Sequence, residues 1–223
     1  MTSATAHSVT FENPRLVDVE DQVRADFYAL LAHLFSRAPD DRVLHSMVIT
    51  QEPTDEASTG LTQAWRALAA ASAVVTHDAL IEEYETVFVG VGRPPVILYG
   101  SFYLAGFMME KPLAELRDDL AKMGFARDAN VRESEDHLAA VCDVRRALII
   151  GEWRAAADDL ADAPANIAAQ KLFFEKHLQP WVFKCCTAIQ IYEKSNYYKR
   201  VAKFAEQFFE MESQAFEMQQ SVK

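Results

Sequence analysis

Glycine is scarce in this chain, and where it clusters it clusters with proline. Seven glycines occur in 223 residues, and three of them fall with two prolines in one stretch, Val89-Gly-Val-Gly-Arg-Pro-Pro-Val-Ile-Leu-Tyr-Gly100. Glycine and proline are the strongest interrupters of regular backbone. A chain that concentrates them at one place is free to build long helices on either side of it. The stretch is also apolar, so it is expected to lie against the body of the protein rather than in solvent.

The flanking sequence has the period of helices. Val23, Phe27, Leu30, Leu31, Leu34 and Phe35 recur at three- and four-residue steps, which predicts a helix from Val19 to Arg37 capped by Asp18 and closed before Pro39. Further helices are expected at Asp41–Val48, around Leu61–Ala71, and from a Thr76 cap through Leu80, Tyr84, Val87 and Phe88. Pro112 suits a first helical turn that ends at Gly124, and a helix reaching Ile150 stops at Gly151. Pro164 and Pro180 each open another, and the last begins at Asn196. With about nine helices and no convincing strand, the expectation is an all-α, single-domain helical bundle. Residues 1–18 read as a flexible N-terminal segment and 19–223 as the helical domain, with a hinge near 125–132 through which protomers could exchange helices.

Composition narrows the function. Thirty-three acidic against 22 basic residues give a net charge of −11, a surface that repels phosphate backbones and attracts cationic partners. Half of the residues are hydrophobic, enough for a sizeable core, yet no run is long enough to span a bilayer and the first residues lack the features of a secretory signal. Cys142, Cys185 and Cys186 show no zinc spacing and fit a reducing cytoplasm.

Two acidic clusters have residue types suited to chemistry. Asp158 and Asp162, four residues apart, could share a divalent cation on one helix face, as a diphosphate-dependent enzyme requires, but no second acidic motif faces them. At Glu133-Ser-Glu-Asp-His137, Ser134 suits an N-cap with Glu135 and Asp136 in the first turn. Pairing His137 with Asp136 or Glu133 for hydrolysis would need a nucleophile, and no GxSxG elbow occurs. No catalytic residue and no metal ligand is therefore assigned.

Three segments together resemble the TorD/DmsD/NarJ-type family of redox-enzyme maturation chaperones. Tyr84-Glu-Thr-Val-Phe-Val-Gly90, followed by Pro94, Pro95 and Tyr99-Gly-Ser-Phe-Tyr103, is similar to that family's aromatic-x-x-L-F-x-G and PP…S-x-Y pattern. Glu133-Ser-Glu-Asp-His-Leu138 is similar to its E-x-P-D-H-[IL] signature, with Glu135 in place of proline. Phe174-Glu-Lys-His-Leu-Gln-Pro-Trp181 and Asn196-Tyr-Tyr198 resemble its ending, and the likeness spans roughly residues 20–215.

The resemblance implies a cytoplasmic, non-enzymatic chaperone, without a cofactor of its own. It implies binding of the twin-arginine signal peptide or apoprotein of a molybdenum- or tungsten-cofactor oxidoreductase, by a monomer or a domain-swapped homodimer. The segment Gly92–Pro112 most resembles a subgroup associated with formate dehydrogenases. A leader with a basic start and an apolar middle needs acids beside an apolar groove. Glu110, Glu133 and Asp136 are the expected acids, with His137 beside them. Tyr84, Phe88, Pro95, Tyr99, Ser101 and Tyr103 are the expected walls, with Met108 and Met109 as adaptable surface. Segments 84–110 and 133–143 should then meet in the fold. The competing readings are an all-α metal- or diphosphate-dependent enzyme using Asp158–Asp162, and an adaptor that shares the fold.

Overall fold

The computed structural model describes residues 18–49, 59–127, 131–151 and 167–218. Among them are ten α-helices: α1 Val19–Ser36, α2 Asp41–Ile49, α3 Gly60–Ser72, α4 His77–Tyr84, α5 Gly100–Ala105, α6 Lys111–Lys122, α7 Leu138–Ile150, α8 Ile167–His177, α9 Gln179–Ile191 and α10 Tyr197–Met218. Their ends follow the local chemistry. Asp18, Thr59 and Thr76 accept backbone N–H bonds at the starts of α1, α3 and α4, while Gly124 and Gly151 take left-handed φ values of 76° just beyond α6 and α7. The Asp158–Asp162 cluster lies outside the described residues.

Helix α1 packs along α7, and α10 packs against both α3 and α9. Tyr28, Leu31, Leu34 and Phe35 of α1 meet Leu138, Val141, Cys142 and Leu148 of α7 and Phe204 and Phe208 of α10 in one core. Phe27 sits edge-on to Phe204 and Phe208 at 5.2 and 5.4 Å between ring centres, the arrangement ring quadrupoles favour. Val23, read above as part of this face, is instead exposed. The inward stripe of α1 turns through Ala25 and Tyr28, and Arg24 takes the place next to Glu212.

A buried ionic network ties four helices together. The Arg145 guanidinium donates to Glu212 Oε2 at 2.7 Å, to Tyr28 Oη at 3.2 Å and to the Gln170 carbonyl at 2.7 Å. Arg24 donates to the other Glu212 oxygen at 2.6 Å. Burial alone would raise the Glu212 carboxyl, but the two arginines outweigh it and hold it below the usual carboxylate range.

The helix expected to run through Phe88 stops at Tyr84 and passes into a π-turn, Glu85–Val89, in which the Gly90 N–H donates to the Glu85 carbonyl at 2.7 Å. This wider turn lets both Val87 and Phe88 point inward. Gly90 and Gly92 then adopt positive φ, and Val96, Ile97 and Leu98 are buried, as the apolar character of the stretch predicts.

Candidate functional site

The Gly/Pro stretch and the Asp-His segment join at a backbone seam. Tyr99 and His137 form an isolated antiparallel bridge. The Leu138 N–H donates to the Leu98 carbonyl at 2.8 Å, and the Gly100 N–H to the Asp136 carbonyl at 2.9 Å. Gly100 is required here by space: a Cβ would lie 2.9 Å from the buried Trp181 ring.

The side chains of the seam complete it. Asp136 Oδ2 accepts the Ser101 N–H at 2.9 Å, so this carboxylate serves the first turn of α5, and its Oδ1 accepts from Ser134 Oγ at 2.5 Å. Ser101 Oγ in turn accepts the Met109 N–H at 3.1 Å. The N-cap of α7 is His137, whose Nδ1 accepts from the Ala139 N–H at 3.2 Å. Ser134 is therefore not the cap, and Glu135 and Asp136 precede the helix rather than occupying its first turn. A ring nitrogen that accepts must be unprotonated. Burial holds the His137 pKa down to about 4, against the opposing pull of Glu133 and Asp136.

Residues 133–136 alternate in direction, and the chain turns inward from there. Ser134, Asp136, His137 and Leu138 are buried, whereas Glu133 is exposed and Glu135 partly so. The outward acids border a groove of about 440 Å³ floored by Leu120, Phe125, Ala139, Ala140, Val144 and Ala147. Arg117, Arg127, Val131 and Asp143 complete its rim. Arg117 binds Glu135 through two nitrogens, at 2.9 Å from Nε and 2.8 Å from Nη2. Burial alone would raise the Glu135 carboxyl, but the Arg117 bond outweighs it and lowers it. Arg127 donates to the Val131 and Arg132 carbonyls at 2.6 and 2.9 Å. Among the described residues Glu133 has no ion pair, and its charge, after burial, helps raise the hydroxyls of Tyr84, to about 12, and of Tyr99.

The ten residues singled out in the sequence are therefore divided. Glu133 and His137 line the groove, with Tyr84 and Tyr99 close enough to feel the Glu133 charge. Tyr84 and Phe88 pack with Tyr198, and the Tyr84 hydroxyl donates to the Phe35 carbonyl at 3.1 Å. Ser101 and Asp136 face a separate hollow beside Trp181. Pro95 and Tyr103 line another with Arg93 and Phe102, and Tyr103 stacks on Trp181 at 5.9 Å. Glu110 is exposed at the start of α6, after the solvent-facing Phe107, Met108 and Met109.

Arg117, Leu120, Phe125, Ala140 and Val144 line the groove without belonging to any of the sequence motifs. The sequence does contain one signal for them. Ala140, Val144 and Ala147 follow each other at helical steps, and small side chains along one face leave a concavity. Among the described residues no group of three His, Cys, Asp or Glu side chains is placed to hold a metal ion, and no helix is long and apolar enough to cross a membrane.

Fold and groove together define an all-helical protein with an acid-rimmed apolar cleft. The model of the nitrate reductase delta subunit family matches residues 54–187, more than half of the 223, so the chain belongs to that family, the TorD/NarJ group. It is 28% identical over 110 residues to the chaperone protein TorD of Aliivibrio fischeri, a match covering 47% of this chain and 50% of that relative. The chain thus spans about half the length of the curated relative it matches. A crystal structure of a candidate redox enzyme maturation protein from Archaeoglobus fulgidus shares the fold with a TM-score of 0.51 and 16% identity, over 92% of this chain and 99% of that one.

Proposed function

We propose that this chain is a non-catalytic, cytoplasmic maturation chaperone whose groove between α6 and α7 receives the leader of a redox enzyme. The observation that carries the reading is the pairing of an apolar floor with a carboxylate rim: Leu120, Phe125 and Val144 below, Glu133, Glu135 and Asp143 above. A twin-arginine leader offers the complement, guanidinium groups followed by an apolar run. Arginine forks match carboxylates in geometry as well as charge, and the apolar run loses water-exposed surface in the cleft. The family supports a redox enzyme as the client; that it carries a molybdenum or tungsten cofactor, with formate dehydrogenases the first to examine, is what the resemblance of the sequence motifs implies.

The test is calorimetric titration of a peptide with two adjacent arginines and a following apolar segment, beside the same peptide with both arginines replaced by glutamine. The arginine peptide should bind more tightly. Its advantage should shrink as salt is raised from 0.05 to 0.5 M, because charge attraction near a surface is screened over about 10 Å at 0.1 M. Equal binding of the two peptides at every salt concentration would remove the acids from the reading. Capture of the client from lysate, followed by mass spectrometry, identifies the enzyme.

A further inference from the structure

The acids of the groove are not equivalent. Glu133 has no ion-pair partner among the described residues, whereas Glu135 is held by both Nε and Nη2 of Arg117. Arg117 lies on α6, across the groove from the segment that carries Glu135, and its side chain is 48% exposed while that of Glu135 is 17% exposed. A guanidinium therefore already occupies one of the two outward carboxylates of this segment, presented from α6, just as Arg146 holds the third rim acid, Asp143, at 2.8 Å from within α7. We infer that Arg117 is an internal stand-in for a ligand guanidinium: one arginine of a bound peptide pairs with the open Glu133, and a second must displace Arg117 from Glu135.

This inference rests on the groove being the peptide site and adds what sets its selectivity. Glu133 and Glu135 are two residues apart and both border the groove, so the long side chains of two arginines on one peptide can reach them in succession. Displacement exchanges one guanidinium–carboxylate pair for another at the same oxygen. The gain from a second arginine is consequently smaller than from the first. Arg117 costs a two-arginine ligand some affinity and costs a one-arginine ligand almost none. It also keeps the half-buried Glu135 from standing without a partner when the groove is empty, a state that burial disfavours.

The experiment uses the full chain and three fluorescent peptides sharing one apolar segment, preceded by Arg-Arg, Arg-Gln or Gln-Gln. Affinities are measured for the wild type, Arg117→Gln, Arg117→Lys, and Lys111→Gln as a control that removes a positive charge from α6 away from the groove. Arg117→Gln should tighten Arg-Arg binding about two- to fivefold, the range of an exposed ion pair, and leave Arg-Gln within about 1.5-fold. Arg117→Lys should restore much of the competition, and Lys111→Gln should tighten both arginine peptides alike and only slightly. In Arg117→Gln/Glu135→Gln the gain should vanish. Peptides that bind the wild type but gain nothing from Arg117→Gln, or gain equally with one arginine or two, would overturn the inference while leaving the proposed site standing. Peptides that bind neither wild type nor variant would overturn both.

Discussion

Four carboxylates show what distinguishes holding the fold from offering a surface. Glu212 and Asp136 are 1% and 4% exposed, and each accepts hydrogen bonds from more than one element. Glu133 and Glu135, within three residues of Asp136, look outward over an apolar cleft with one arginine between them. A buried carboxylate is stable only when its oxygens are fully satisfied, so its loss is felt throughout the fold. An outward one costs little to remove and has charge left to give a partner. The Asp-His signature thus combines two tasks in alternating residues, a seam that locks α5 to α7 and a rim that faces the groove.

The largest effect expected from breaking the inner set is at Glu212. Replacing it by glutamine leaves Arg145, which is fully buried, without its counter-charge, and should cost about 3–5 kcal/mol in denaturant unfolding. A loss below about 1 kcal/mol would mean that water reaches the network. His137 comes next. Its pKa falls from 6.5 unfolded to about 4 folded, so the unfolded chain takes up the proton first as pH drops. The stability this contributes is complete above pH 6.5 and has gone by about pH 4, some 3 kcal/mol across that window. His33 and His177 are lowered in the same sense, so the measurement is the difference between wild type and His137→Asn, a substitution that keeps a capping oxygen. Parallel stability curves for the two would show that His137 does not carry the dependence.

Smaller is the cost of Asp136→Asn, which must turn an amide NH₂ toward either the Ser101 N–H or the Ser134 hydroxyl. About 1–3 kcal/mol of stability should be lost, together with faster amide exchange at Ser101. The smallest stability effect belongs to the rim. Glu133→Gln should leave unfolding within about 0.5 kcal/mol of wild type while weakening an Arg-Arg leader about tenfold or more, the worth of a charge-assisted hydrogen bond. If Glu133→Gln destabilised the protein as much as Asp136→Asn, the division between seam and rim would fall.

Much of the helical order was legible because caps and breakers act locally. Asp18, Thr76, Pro112, Gly124 and Gly151 each mark a boundary in the sequence and in the structure alike. The meeting of Tyr99 with His137 could be anticipated from shared motifs, but its form could not. Whether Ser134 or His137 caps α7 is decided by where the Leu98 carbonyl fixes the Leu138 N–H, a contact 40 residues distant in sequence. The groove floor was harder still to read. Leu120 and Phe125 have the sequence character of core residues, and only the small side chains facing them from α7 leave the space open. Likewise Arg145, a charge at a fully buried position of α7, makes physical sense only once Glu212 is placed beside it.

The groove itself can be closed without touching any charge. Ala140 lies half-buried in its floor, within the first turn of α7, and takes no part in the hydrogen bonds of the seam. Ala140→Trp fills the cleft while Glu133, Glu135 and Asp143 stay in place. The variant should melt within about 3 °C of wild type, since a partly exposed site accommodates a larger side chain without core strain, yet bind the Arg-Arg leader at least about tenfold more weakly. Unchanged affinity with the cleft filled would contradict this, and would place the leader elsewhere on the protein.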